Sequence, residues 1–143
     1  MKFPDEETIR QITETLNDGI MCVYIHKETG ELLLIPTQEN MDYMGSDFME
    51  EERKELEENE EQYAEISGWE TWEAFEYMKV FAEDLSSHPE LQEQLLEALS
   101  RSKPFRNFKD VLFEDEEVRQ QWFDFESKWQ QAHVRKRLEF IFD

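Results

Sequence analysis

The sequence predicts an α+β fold: a mostly helical single domain over residues 1–143, with an N-terminal helix and one β-hairpin followed by four or five packed helices. Three observations carry this prediction. Apolar residues recur at spacings of three and four over most of the chain, the period of a helix face. Two short runs, residues 20–25 and 31–35, are instead rich in β-branched, leucine and aromatic side chains and flank a short turn that ends in glycine. The composition is 36% charged yet 13% aromatic. Acidic disordered chains are poor in aromatics, so this mixture implies a packed core under a charged surface. A chain of about 150 residues buries roughly 70% of its unfolded surface, enough for one sizeable core.

The elements follow in order. Over residues 5–17, Ile9, Ile12 and Leu16 share one helical face. Asp5, Glu6 and Glu7 suit the positive end of the helix dipole, and Gly19 supplies a left-handed stop. Residues 20–25 and 31–35 form the hairpin. Lys27-Glu28-Thr29-Gly30 between them is read as a type I turn with Gly30 at the left-handed bulge position. Both strands are apolar on both faces, which predicts cover on two sides. Two strands alone are marginal, so helices must pack on them. Pro36 ends the second strand, and residues 37–48 show no clean period. Residues 49–65 are dense in Glu, and Leu56 and Tyr63 are the only large apolar residues between positions 50 and 65. This stretch is expected to be an exposed helix or a charged excursion, and the good helix propensity of Glu favours the helix.

Ser67 and Glu70 fit a capping box for the next helix, whose apolar stripe is read as Trp72, Phe75, Met78, Phe81 and Leu85. Ser87, Pro89 and Glu90 start another, with Leu91, Leu95, Leu96 and Leu99 inward. Residues 104–113 form a short helix with Phe105, Phe108 and Leu112 on one side. Asp115 caps a long last helix whose inward residues are Val118, Trp122, Phe125, Trp129 and Ala132, with Leu138 and Ile141 beyond.

Charge excludes several functions. The formal net charge is −21. Residues 1–100 hold 27 acidic and 6 basic side chains, whereas residues 101–143 hold 9 of each. A nucleic-acid binder needs cations to displace counterions from phosphates, so direct DNA or RNA binding is not expected. An anionic membrane surface is disfavoured for the same reason. No run approaches the roughly 20 apolar residues of a membrane span. The first residues lack the apolar run of a secretory signal, and Cys22 has no second cysteine to pair with. A cytoplasmic protein is expected.

Motifs for chemistry are sparse. His26, His88 and His133 lack metal-ligand spacing, and the Glu runs lack the rhythm of a calcium loop. The four glycines form no phosphate loop. Cys22 falls in a strand read as buried, where a thiol is an inert small hydrophobe. No catalytic, cofactor or metal residues are therefore assigned. What remains is a local excess of cations beside aromatics. Arg101, Lys103, Arg106 and Lys109 are the candidate partner-contact residues, for an acidic partner or a phosphate group. They can also serve simply as internal charge balance. Arg135-Lys136-Arg137 can join them, although cations near a helix C-terminus are expected in any case.

The run Lys103-Pro104-Phe105-Arg106-Asn107-Phe108-Lys109-Asp110-Val111-Leu112, followed by Arg119-Gln120-Gln121-Trp122-Phe123-Asp124-Phe125, resembles the C-terminal signature of Uncharacterised Protein Family 0158. So does the Glu28-Thr29-Gly30-Glu31 turn. So do Trp72, Phe75, Met78 and Phe81 with the following Leu91, Leu95, Ala98 and Leu99. The resemblance implies a small cytoplasmic bacterial protein of unknown function, and supplies no catalytic residues. The expected function is accordingly a non-enzymatic, acidic protein-interaction module of the bacterial cytoplasm, with another protein as partner and no cofactor. Two alternatives stand beside it: a nucleic-acid mimic whose carboxylates occupy a basic site on a partner, and an enzyme whose site is assembled from scattered residues.

Overall fold

In the computed structural model, residues 3–45 and 47–142 are described. Ser46, part of the aperiodic stretch, lies outside them. The α+β class and the order of helix, hairpin and packed helices are as predicted. Cα packing divides the chain into two compact units, residues 1–68 with 131–143, and residues 69–130.

The first unit is built on a sheet. Helix α1 (Glu6–Asp18) starts where the Asp5 side chain accepts from the Thr8 N–H at 2.9 Å. It stops at Gly19, whose φ of 71° only glycine adopts without cost. Strands β1 (Met21–His26) and β2 (Leu32–Pro36) form the hairpin. Gly30 has φ 76°, the left-handed conformation expected of it, but its N–H reaches His26 O four residues back at 2.9 Å. The turn is thus one residue wider than a type I turn. His26 Nδ1 accepts from the Glu28 and Thr29 N–H groups, each at 3.1 Å, which closes it.

A third strand, β3 (Tyr63–Ile66), was not anticipated. It lies antiparallel to β1, giving the order β2-β1-β3 with Val23 opposite Ile66 and Ile25 opposite Ala64. Its four residues follow directly on the Glu run, and so short an alternation carries little periodic signal. The same register puts Val23, Ile25 and Ile66 on one face, where they pack with Ile9 and Ile12 of α1 and with Val134 and Leu138. On the other face Ile35 is buried but Cys22, Tyr24 and Leu33 are only half-buried, so the two-sided cover predicted for the hairpin is uneven. Two short helices complete the unit before β3. Helix α2 (Gln38–Met44) begins at Thr37, whose hydroxyl accepts from Asn40 N–H. Helix α3 (Glu50–Glu58) makes the first half of the Glu-rich stretch helical as expected, and the remainder becomes a 3-10 turn and β3.

The second unit is helical: α4 (Thr71–Glu83), α5 (Pro89–Leu99), α6 (Pro104–Leu112) and the first half of α7 (Glu116–Phe142). The capping box predicted at Ser67 and Glu70 sits three residues later. Glu70 N–H donates to Glu73 Oε1 at 2.9 Å. Trp72, read as inward, is 67% exposed. A helix turns about 100° per residue. The nine residues from Trp72 to Phe81, taken in steps of three, therefore end on the opposite side. The face that is buried is Tyr77, Met78, Phe81 and Ala82. On α5 the inner face is Leu95, Ala98 and Leu99, and Leu96 is exposed. On α7, Val118 and Trp122 are buried as predicted, but Ala132 is exposed and Val134 takes the buried position. The reason is that the later part of α7 supplies Val134 and Leu138 to the sheet core, which fixes a different face there.

An aromatic cluster forms the heart of the helical unit. Trp122 is within 5.1 to 5.6 Å, centroid to centroid, of Phe108, Phe81 and Tyr77. Edge-to-face and tilted pairs of this kind add to the area that they bury. Among the described residues, no helix is long and apolar enough to cross a membrane.

Candidate interaction site

Helices α6 and α7 meet through a short connection, residues 113–115. Pro104 opens α6 at its first turn, where a missing N–H costs nothing. Lys103 before it has φ 52°, a left-handed conformation unusual for a lysine. The Asn107 side chain ties the approach by donating to Ser102 O at 2.8 Å. At the other end, Asp115 Oδ1 accepts from Val118 N–H at 3.1 Å and starts α7, the cap read from the sequence.

Each helix carries a second stripe beside its buried one. On α6, Phe108 and Leu112 point into the core, and Lys109 and Phe113 flank Leu112. On α7, Val118 and Trp122 point inward, and Arg119, Phe123 and Glu126 line the adjoining side at the i, i+4, i+7 spacing of a single face. Between the two stripes is a cleft of about 150 Å³. Its floor is apolar, made by buried Leu112 and Trp122. Phe113 and Phe123, 64% and 48% exposed, stand at its sides. Lys109 and Arg119 supply positive charge. The Arg119 guanidinium carbon lies 5.2 Å from the Phe113 ring centroid, in cation–π contact.

Glu126 is the carboxylate in this lining, and it is tied to the core. Gln130 Nε2 donates to the Tyr77 hydroxyl at 3.3 Å, and that hydroxyl donates to Glu126 Oε2 at 3.2 Å. Burial raises the Glu126 carboxyl above its ordinary range; the Tyr77 hydrogen bond and the Lys109 charge partly offset this. Tyr77 is pushed up to about 12, first by burial and then by the Glu126 charge.

The four cations singled out in the sequence do not converge. Lys109 lines the α6–α7 cleft. Arg101 is paired with Glu97 one turn earlier and lines a different depression, with Glu97, Asp110 and Glu114 around it. Lys103 and Arg106 are exposed and line neither. Of the 135–137 cluster, Arg135 forks onto Glu6, with both oxygens at 2.8 Å. The residues that the sequence reading passed over are Phe113, Arg119, Phe123 and Glu126. The available signal was an aromatic next to, rather than on, the buried stripe, with a cation four residues before it.

Other candidate chemistry is weak. Cys22 is half-buried rather than buried, and burial together with the Glu65 charge pushes its thiol up, away from a reactive thiolate. Among the described residues no three His, Cys, Asp or Glu side chains are grouped to hold a metal ion.

Fold and cleft together define a small acidic α+β protein with an amphipathic surface cleft on its helical part. The chain belongs to the Uncharacterised protein family UPF0158, whose profile matches residues 9–141. No curated protein and no solved structure matches it.

Proposed function

We propose that this protein is a non-enzymatic interaction module of the bacterial cytoplasm, and that it contacts another protein through the α6–α7 cleft. The observation that carries the reading is the pair of exposed aromatics, Phe113 and Phe123, flanking a cleft with an apolar floor. Large apolar side chains held at the surface around a well-packed floor are the usual anchors of protein–protein contacts. Arg119 stacked on Phe113 adds a second residue type enriched at such contacts. The lone cysteine suits a reducing compartment.

Site-specific photocrosslinking tests the reading. A photoreactive phenylalanine at position 113 or 123 is expected to give a discrete adduct in cells, and the same group at the exposed Tyr43 is not. Equal labelling at all three positions, or none at 113 and 123, would remove the cleft as the contact surface.

A second reading, polyanion mimicry, draws support from α3. That helix presents Glu51, Glu55 and Glu58 on one exposed side in a regular array. In that case adducts are expected at position 55 and are lost in high salt.

A further inference from the structure

We propose that the α6–α7 cleft takes an apolar side chain from a partner's peptide segment that carries a carboxylate next to that side chain. The inference rests on the reading of the cleft as a contact surface and adds the chemistry of what it holds.

Size and lining set the first half of the recognition. A space of about 150 Å³ over Leu112 and Trp122 accommodates one large apolar side chain and little more. The flanking Phe113 and Phe123 rings can close over such a side chain, removing their own exposed surface from water.

Charge sets the second half. Among the described residues, neither Lys109 nor Arg119 makes a side-chain hydrogen bond or ion pair. Lys109 acts on Glu126 only through its field. The Phe113 ring holds the Arg119 guanidinium in place and leaves its planar N–H fork open to a carboxylate. The one carboxylate of the lining, Glu126, already accepts from Tyr77. A basic segment would meet two like charges here, and a nucleic acid would find two cations where many phosphate contacts are needed. A second copy of this chain brings a further −21 with it. An acidic–apolar segment of another protein fits both halves. The chain's remaining carboxylates oppose its approach, but beyond about 8 Å they are screened at physiological salt.

A phage-displayed library of random dodecapeptides, selected on the full-length protein, is the probe. Clones that pair a large apolar residue with a nearby Asp or Glu are expected to be enriched. Their binding is expected to weaken by about tenfold, the equivalent of one lost charge-assisted contact, in Lys109→Glu and in Arg119→Glu. Neither side chain is part of the buried core, so both variants are expected to keep the wild-type circular dichroism spectrum, which checks that they fold, with a small drop in melting temperature where Lys109→Glu sets a like charge near Glu126. Enrichment of basic peptides, or binding indifferent to both charge reversals, overturns the proposed occupant. The Phe113→Ala, Phe123→Ala double variant separates the two readings. Clones that depend on these rings but not on the cations leave the cleft as the contact surface with a different occupant. Clones that depend on neither, or a selection that enriches nothing, sink both.

Discussion

Trp122 and Glu126 lie one turn apart on α7 and illustrate opposite roles for a partly apolar environment. Trp122 is nearly fully buried among Phe108, Phe81 and Tyr77. Truncating it removes that packing and leaves a cavity. Trp122→Ala is expected to lower stability by about 3–5 kcal/mol, measured by denaturant unfolding. A loss under about 1 kcal/mol would show that the indole is not part of the core. Glu126 is a liability at neutral pH. Its folded carboxyl holds a proton more tightly than the ordinary value of 4.5. The folded state therefore binds more protons than the unfolded chain between that value and its own raised one, and stability falls as pH rises through this window. Glu126→Gln keeps an acceptor for the Tyr77 hydroxyl and removes the half-buried charge. The variant is expected to melt higher than wild type at pH 7, with the difference shrinking to nothing below pH 4.5. Trp122 was legible in the sequence because it sits in a run of threes and fours. Glu126 was not, since Tyr77, 49 residues away, is what ties it down.

At the scale of elements, the caps and stripes that depend on neighbours in sequence were largely readable. Asp115 is a clear case, and Asp115→Ala is expected to cost about 1 kcal/mol and to speed amide exchange at Val118, whose N–H loses its acceptor. Unchanged exchange there would mean that backbone geometry alone holds the start of α7. Where the reading went astray, long-range packing had chosen the face. Ala132 shares spacing with Val118, Trp122, Phe125 and Trp129, but the later part of α7 is buried on the side that meets the sheet, where Val134 and Leu138 lie. The α6–α7 cleft shows the same limit. Lys109 was singled out as a charge, and Phe113 lies one turn after it, yet Arg119 and Phe123 join them only through the angle at which the chain turns at residues 113–115. No periodicity along either helix encodes that angle. β3 escaped for a related reason: a four-residue strand is specified by its partner, β1, more than by its own alternation.

For the molecule as a whole, the charge of −21 sets the response to salt. Like charges on a compact chain repel, and raising ionic strength from about 0.01 M to 0.15 M shortens the screening length from about 30 Å to about 8 Å. Stability is expected to rise over that interval; a melting temperature that is flat or falls would show that pairs such as Arg135–Glu6 outweigh the general repulsion. The placement of two residue types has a further experimental consequence. All four tryptophans, 69, 72, 122 and 129, lie in the unit formed by residues 69–130, and Cys22 lies on β1 in the other. Tryptophan fluorescence, excited so that the tyrosines do not contribute, therefore watches the helical part alone, dominated by the change around buried Trp122. The rate at which a thiol reagent modifies half-buried Cys22 watches the sheet alone. The natural sequence thus contains two spectroscopically separate reporters, with no label to introduce. Denaturation curves that coincide by both signals would establish a single cooperative transition, and curves that part would give the free energy of opening each unit by itself.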